Sequence, residues 1–109
     1  MAGGIARGDI RQYRFTPPDK LRPVVVLTRQ SAIAYLATVT VAPLTSTIRD
    51  VPSELILTEE DGMKAPCAVN LHNLVTVSQH RLGRRLTQLT PTRMGEICSR
   101  LRFALGCDA

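Results

Sequence analysis

Short apolar runs, each broken by proline, glycine or a cluster of charge, occupy most of the chain, and only its C-terminal stretch adopts a helical period. Ile10, Tyr13 and Phe15 punctuate a basic first strand that stops at Pro17-Pro18, a pair through which neither strand nor helix continues. Residues 21–28 (LRPVVVLT) form the most apolar run. It is β-branched and short, as expected of a central strand covered on both faces. Residues 35–42 (YLATVTVA) form a second β-branched run, expected to end at Pro43, with residues 29–34 as the hairpin loop between the two. Residues 54–57 (ELIL), 65–70 and 74–77 add three shorter strands. Strands at this spacing predict a small, strongly bent antiparallel sheet or barrel.

The helical stretch carries its own punctuation. Thr90 is a good N-cap, Pro91 fits the first turn because its missing N–H has no partner to lose, and Gly106 is the natural stop. Met94, Ile97, Cys98, Leu101 and Leu105 repeat at helical spacing, with Arg93, Arg100 and Arg102 off the stripe. The expectation is six or so strands closed by one amphipathic C-terminal helix. Residues 1–6, small and glycine-rich, read as a flexible leader to a single domain over 7–109.

Composition narrows the class. With 109 residues, 44% of them hydrophobic and 21% charged, the chain suits one modest core. No apolar run reaches the roughly 18 residues a membrane-spanning helix needs. Residues 1–14, with three arginines, do not read as a secretory signal. The expected location is the cytoplasm. Cys67, Cys98 and Cys107 are odd in number, far apart and without zinc-finger spacing, so they read as small apolar residues rather than a disulfide or metal framework.

Charge sharpens the picture. The net charge is +5, yet five of the nine acidic residues fall between Asp50 and Asp61. The other four face fourteen basic residues, twelve of them arginine. A guanidinium fork matches phosphate oxygens better than an ammonium does. A basic surface with a segregated acidic patch favours a polyanion, and nucleic acid is the first choice.

Glycine-rich phosphate loops, H-E-x-x-H and G-x-S-x-G are all absent. His72 and His80 are a possible acid–base pair, or solvated bystanders. Arginine and hydroxyl groups remain. Arg22 precedes Pro23, which holds it extended. Thr45-Ser46-Thr47 follows Pro43, just past the second strong strand. In an antiparallel pair those two strand ends share one edge of the sheet, so a guanidinium and a hydroxyl stand where a phosphate can bind both. Read without further context, Arg22 is equally a surface ion pair and Thr45 or Ser46 a turn residue.

Four segments add that context: Arg7-Gly8-Asp9-Ile10, then Arg22-Pro23-Val24-Val25-Val26-Leu27, then Ala42-Pro43-Leu44-Thr45-Ser46, and a distal run from Ala68-Val69-Asn70-Leu71 through Val75-Thr76-Val77 to Arg81-Leu82. In order and spacing they resemble the MazF/PemK toxins of bacterial toxin–antitoxin pairs over residues 7–107. The resemblance implies a mainly β fold with a C-terminal helix, a small SH3-like barrel of the CcdB/MazF type. It implies a homodimer and a sequence-selective endoribonuclease that cuts single-stranded RNA without a metal or other cofactor. It implies a cognate acidic, MazE-like antitoxin. Arg22 and Thr45 match that family's catalytic pair. The expected products are a 2′,3′-cyclic phosphate and a 5′-hydroxyl end.

Arg11, Arg14, Lys20, Ser46 and Arg49, near the two site segments, are the candidates for tracking the RNA backbone. With two phenylalanines, two tyrosines and no tryptophan, base stacking is expected to be sparse. The chain departs from the family pattern in a short segment between Asp9 and Arg22 carrying Pro17-Pro18-Asp19-Lys20, and at His72-Asn73, where an acidic residue or glutamine is commoner. Two other readings stay open: a gyrase-poisoning toxin of the same fold, and a non-catalytic RNA-binding small barrel.

Overall fold

The computed structural model describes residues 4–17 and 20–107. Seven strands stand among them: β1 Asp9–Arg14, β2 Leu21–Val26, β3 Thr38–Thr45, β4 Glu54–Leu57, β5 Cys67–Asn70, β6 Val75–Ser78 and β7 Arg85–Gln88. A single helical turn, α1 (Gln30–Ile33), follows β2, and the helix α2 (Pro91–Leu105) ends the described chain. Every strand pairing is antiparallel, in the order β4-β5-β3-β2-β1-β7, with β6 also on β3. The result is a strongly bent, half-barrel sheet.

β2 is the central strand that its composition predicts. Val24, Val25 and Val26 are all fully buried, but on opposite faces. Val25 and Leu27 join Ile10, Ala42, Leu57 and Val69 in a core that α2 covers with Met94 and Ile97. Val24 and Val26 join Ile5, Ile33, Val39, Val41 and Val77 in a second core. Each such side chain contributes about 1.5–3 kcal/mol by leaving water.

β3 differs from expectation at both ends. It starts at Thr38, because residues 32–36 close a local turn in which Tyr35 and Leu36 both donate backbone bonds to the Ala32 carbonyl. Tyr35 is 87% exposed. The segment between β2 and β3 is thus partly helical rather than a plain hairpin loop. At the other end β3 passes through Pro43 to Thr45. Its backbone shows why a proline is tolerated. Thr40 donates to Thr28 Oγ1 at 2.7 Å and accepts from Leu27 N–H at 2.9 Å, so both its polar groups face β2. Alternation turns the position of the missing Pro43 N–H to the opposite edge. There β3 is changing partner, from β6 at Val41↔Val75 to β5 at Leu44↔Val69, and Pro43 falls in the gap.

The expected leader over residues 1–6 needs correction in its second half. Ile5 is buried in the second core, and Ala6 N–H donates to the Asp9 carboxylate at 3.0 Å. Residues 1–3 lie outside the described residues. β7 is the strand that sequence patterning missed, since Arg85–Gln88 offers one apolar side chain, Leu86. It pairs with β1. The turn after β4 packs onto it: Gly62, at φ +92°, lies so close that a Cβ would sit 2.6 Å from Thr87 Oγ1.

α2 is punctuated as its sequence predicts. Thr90 Oγ1 accepts from Arg93 N–H at 3.2 Å, and Gly106 closes the helix in the left-handed region at φ 71°. Arg93 fastens the helix to the sheet by donating to Asp61 at 2.9 Å and to the Ile56 carbonyl. Leu105 is exposed and takes no part in the core. Among the described residues no helix is long and apolar enough to cross a membrane.

Candidate functional site

Pairing register brings three side chains into one row. Tyr13 of β1 stands opposite Arg22 of β2. The β2–β3 register, Val24↔Pro43, carried two residues further, sets Arg22 against Thr45. Cβ atoms of directly opposed residues lie about 4.5–5.5 Å apart. By strand alternation Arg22 and Thr45 share the face of Val24 and Val41. Arg22 and Thr45 line two adjoining clefts, of about 460 Å³ and 540 Å³. They form the ridge between them.

The two groups are free for a ligand in different ways. Thr45 Oγ1 accepts from Thr47 N–H at 3.1 Å, which fixes the hydroxyl oxygen and leaves its proton to donate elsewhere. Arg22 has no carboxylate within 4.0 Å among the described residues. Pro23 behind it keeps its backbone extended, so a half-buried guanidinium emerges from a rigid strand.

Glu54 shapes the mouth of the first cleft. Only 3% exposed, its Oε1 accepts from the N–H groups of Arg49 and Asp50, both at 3.0 Å. Those two bonds hold the loop after β3, where Asp50 adopts φ 56°. Arg49 is thereby delivered to the same cleft as Arg22 and Thr45, beside Asn70 and Asn73. The second cleft collects Lys20, Arg22, Lys64 and Arg84, with no carboxylate among its described lining. A groove with a cationic rim and the free hydroxyl donor of Thr45 is built for phosphate oxygens.

Of the residues expected to contact RNA, Lys20 and Ser46 line the second cleft and Arg49 the first. Arg11 and Arg14 line neither cleft. Arg11 is committed to the fully buried Asp9, with Nε–Oδ2 at 3.0 Å, and donates to the Gly83 carbonyl. Arg14 ends β1 with its side chain exposed. The two histidines are not brought to a common cleft. His72 Nδ1 is bonded to Ser53 Oγ at 2.6 Å, while His80 borders a separate cavity with Ile5, Ile33 and Gln79. Cys67, Cys98 and Cys107 are free.

Glu54, Asn70, Asn73, Lys64 and Arg84 are cleft residues that sequence reasoning did not select. Glu54 and Asn70 carry a legible signal in hindsight, as polar residues at the ends of apolar strands that pair with each other. Lys64 and Arg84 carry none, because only the fold brings their loops together.

Comparisons with known proteins converge on one group. Residues 6–105 match the family described as PemK-like, MazF-like toxin of type II toxin–antitoxin system. The chain is 44% identical over 88 residues to the probable endoribonuclease MazF5 of Mycobacterium tuberculosis, covering 80% of this chain and 81% of the relative. It is 41% identical over 91 residues to the probable endoribonuclease MazF2 of the same organism, covering 83% and 89%. Among solved structures, the Mycobacterium tuberculosis toxin MazF-mt6 superposes with a TM-score of 0.83 at 30% identity, over 93% of this chain and 99% of that one.

Proposed function

The chain belongs to the PemK-like, MazF-like toxins of type II toxin–antitoxin systems, and on that premise we propose that it is a toxin endoribonuclease acting on single-stranded RNA in the cytoplasm. The observation that carries the site assignment is the shared lining of Arg22 and Thr45 along two cationic clefts.

RNA contains its own nucleophile, the 2′-hydroxyl, so neither an activated serine nor a metal-bound water is required. The protein has to hold that oxygen in line with the leaving 5′ oxygen and to stabilise the negative charge that builds on the phosphorane. Alignment and charge stabilisation are the two largest effects available to such a site. Arg22 clamps the non-bridging oxygens with its fork, and Thr45 donates its free O–H to one of them. The 2′-hydroxyl gives its proton to water as its oxygen bonds to phosphorus, and the bond to the 5′ oxygen breaks with that oxygen taking a proton from water. The ends are a 2′,3′-cyclic phosphate and a 5′-hydroxyl that has gained a proton. Lys20, Ser46, Arg49, Lys64 and Arg84 lead the flanking phosphates to the ridge.

In this reading the working unit is a homodimer of one toxin domain that begins before Arg7, with Ile5 in its core, silenced by a cognate acidic antitoxin. Cationic clefts with few opposing carboxylates suit such a partner as well as they suit RNA. The test is digestion of a long RNA in EDTA, with the chemistry of every new end determined. Cuts that leave cyclic phosphate and 5′-hydroxyl, and that vanish when the scissile ribose is 2′-deoxy, support the reading. Intact RNA, or ends bearing a 5′-phosphate, overturns it.

A further inference from the structure

Tyr13 and Phe15 form an edge-to-face pair on β1 and its extension, with ring centroids 4.8 Å apart and planes at 77°. The Arg81 guanidinium lies 5.5 Å from the Tyr13 ring centre and donates to the Arg14 carbonyl at 3.4 Å, which helps hold Tyr13 in place. Half of the chain's four aromatic residues are therefore gathered at one place. That place is the site. Tyr13 is the register partner of Arg22, and Phe15 lines the cleft that Arg22, Thr45 and Arg49 share.

Phe15 has two unlike sides. One packs against the core cluster around Val24 and Val26, and the other borders the cleft. It is half-buried and directly follows the last residue of β1, its N–H reaching the Lys20 carbonyl at 3.5 Å. Diagonal neighbours across an antiparallel pair lie about 7–8 Å apart, so Phe15 and Arg22 reach adjoining parts of one nucleotide. Unstacked bases of single-stranded RNA are held on aromatic faces of this kind.

We infer that Phe15, braced by Tyr13 and Arg81, is the stacking platform for the nucleobase beside the scissile phosphate, and so a determinant of which RNA is bound. One such platform accords with a chain of only four aromatic residues, and the inference rests on reading the cleft as an RNA site.

The probe is a short single-stranded oligonucleotide chosen for tight binding to the parent protein and made with 2′-deoxyribose throughout, so that it is not cut. Bases are removed one position at a time, and binding is followed by fluorescence anisotropy. Phe15→Ala is expected to weaken binding roughly tenfold. One abasic position is expected to weaken binding to the parent equally, and to cost nothing further with Phe15→Ala. Phe15→Trp retains affinity, whereas Phe15→Leu, which keeps the core filled, does not. Unchanged binding by Phe15→Ala, losses that add at every position, or full affinity in Phe15→Leu would overturn the inference. Failure of the parent to cut the all-ribose version while these binding losses hold sinks the nuclease reading and leaves the platform standing.

Discussion

Replacing Thr45 with valine keeps the branched shape of the side chain and deletes one hydroxyl, and the structure separates the two things that hydroxyl does. As an acceptor it takes a single bond, from Thr47 N–H at 3.1 Å in an exposed turn. Losing a bond of that kind costs about 1 kcal/mol of stability. As a donor it faces the clefts shared with Arg22. Removing one donor that stabilises developing charge costs about 10²–10³ in kcat, equivalent to about 2.7–4 kcal/mol of barrier. The rate effect should therefore exceed the stability effect severalfold, and Thr45→Ser, which restores the O–H, should recover most of it. Single-turnover cleavage of a labelled RNA in EDTA gives the rate, and urea unfolding of the same preparations gives the stability. A valine variant that cuts within about threefold of the parent, a barrier change under about 1 kcal/mol, refutes the assignment of Thr45.

Other outcomes follow from the same structure. Asp9 is fully buried between Arg11 at 3.0 Å and Arg85 at 3.7 Å, so Asp9→Ala strands a largely buried guanidinium and should cost about 3 kcal/mol in urea unfolding; a loss below about 1 kcal/mol contradicts this. Burial, with the Asp61 carboxylate adding to it, raises the pKa of the Cys67 thiol. Below that raised pKa it is less ionised than an ordinary thiol, so at mildly alkaline pH a disulfide reagent should titrate exposed Cys107 first and Cys67 only on unfolding; rapid reaction of Cys67 in the folded protein counts against its placement. With Lys20, Arg22, Lys64 and Arg84 around one cleft, RNA affinity should fall with salt at a log–log slope of about −3, and a flat dependence refutes the phosphate groove.

Local rules made much of the fold legible. A β-branched run of continuous apolar residues marked β2 as doubly buried, and the Thr90, Pro91 and Gly106 signals framed α2. The failures have physical causes. Pro43 reads as a strand terminator, but a strand that exchanges one neighbour for another has a position where no donor is needed, and Pro43 occupies it. Arg85–Gln88 has almost no apolar signal because it pairs with β1 at the end of the sheet order.

The site divides along the same line. Arg22 and Thr45 come together although Pro43 does not end β3, because two neighbouring antiparallel strands, β2 and β3, carry them into the same clefts. Arg11 was not placed by charge alone, which does not distinguish a solvent-facing arginine from one drawn inward by a buried carboxylate. Lys64, Arg84 and the Tyr13–Phe15 pair depend on contacts between strands far apart in sequence or on ring orientation, and neither is written in a local pattern.

The central claim is that Arg22 and Thr45 act on one phosphodiester. Its most direct test is the structure of the protein bound to an RNA whose scissile ribose is 2′-deoxy. The account predicts the Arg22 guanidinium and Thr45 Oγ1 each about 2.7–3.1 Å from oxygens of the same phosphate. Side chains that contact different phosphates, or an RNA seated away from this ridge, would contradict it.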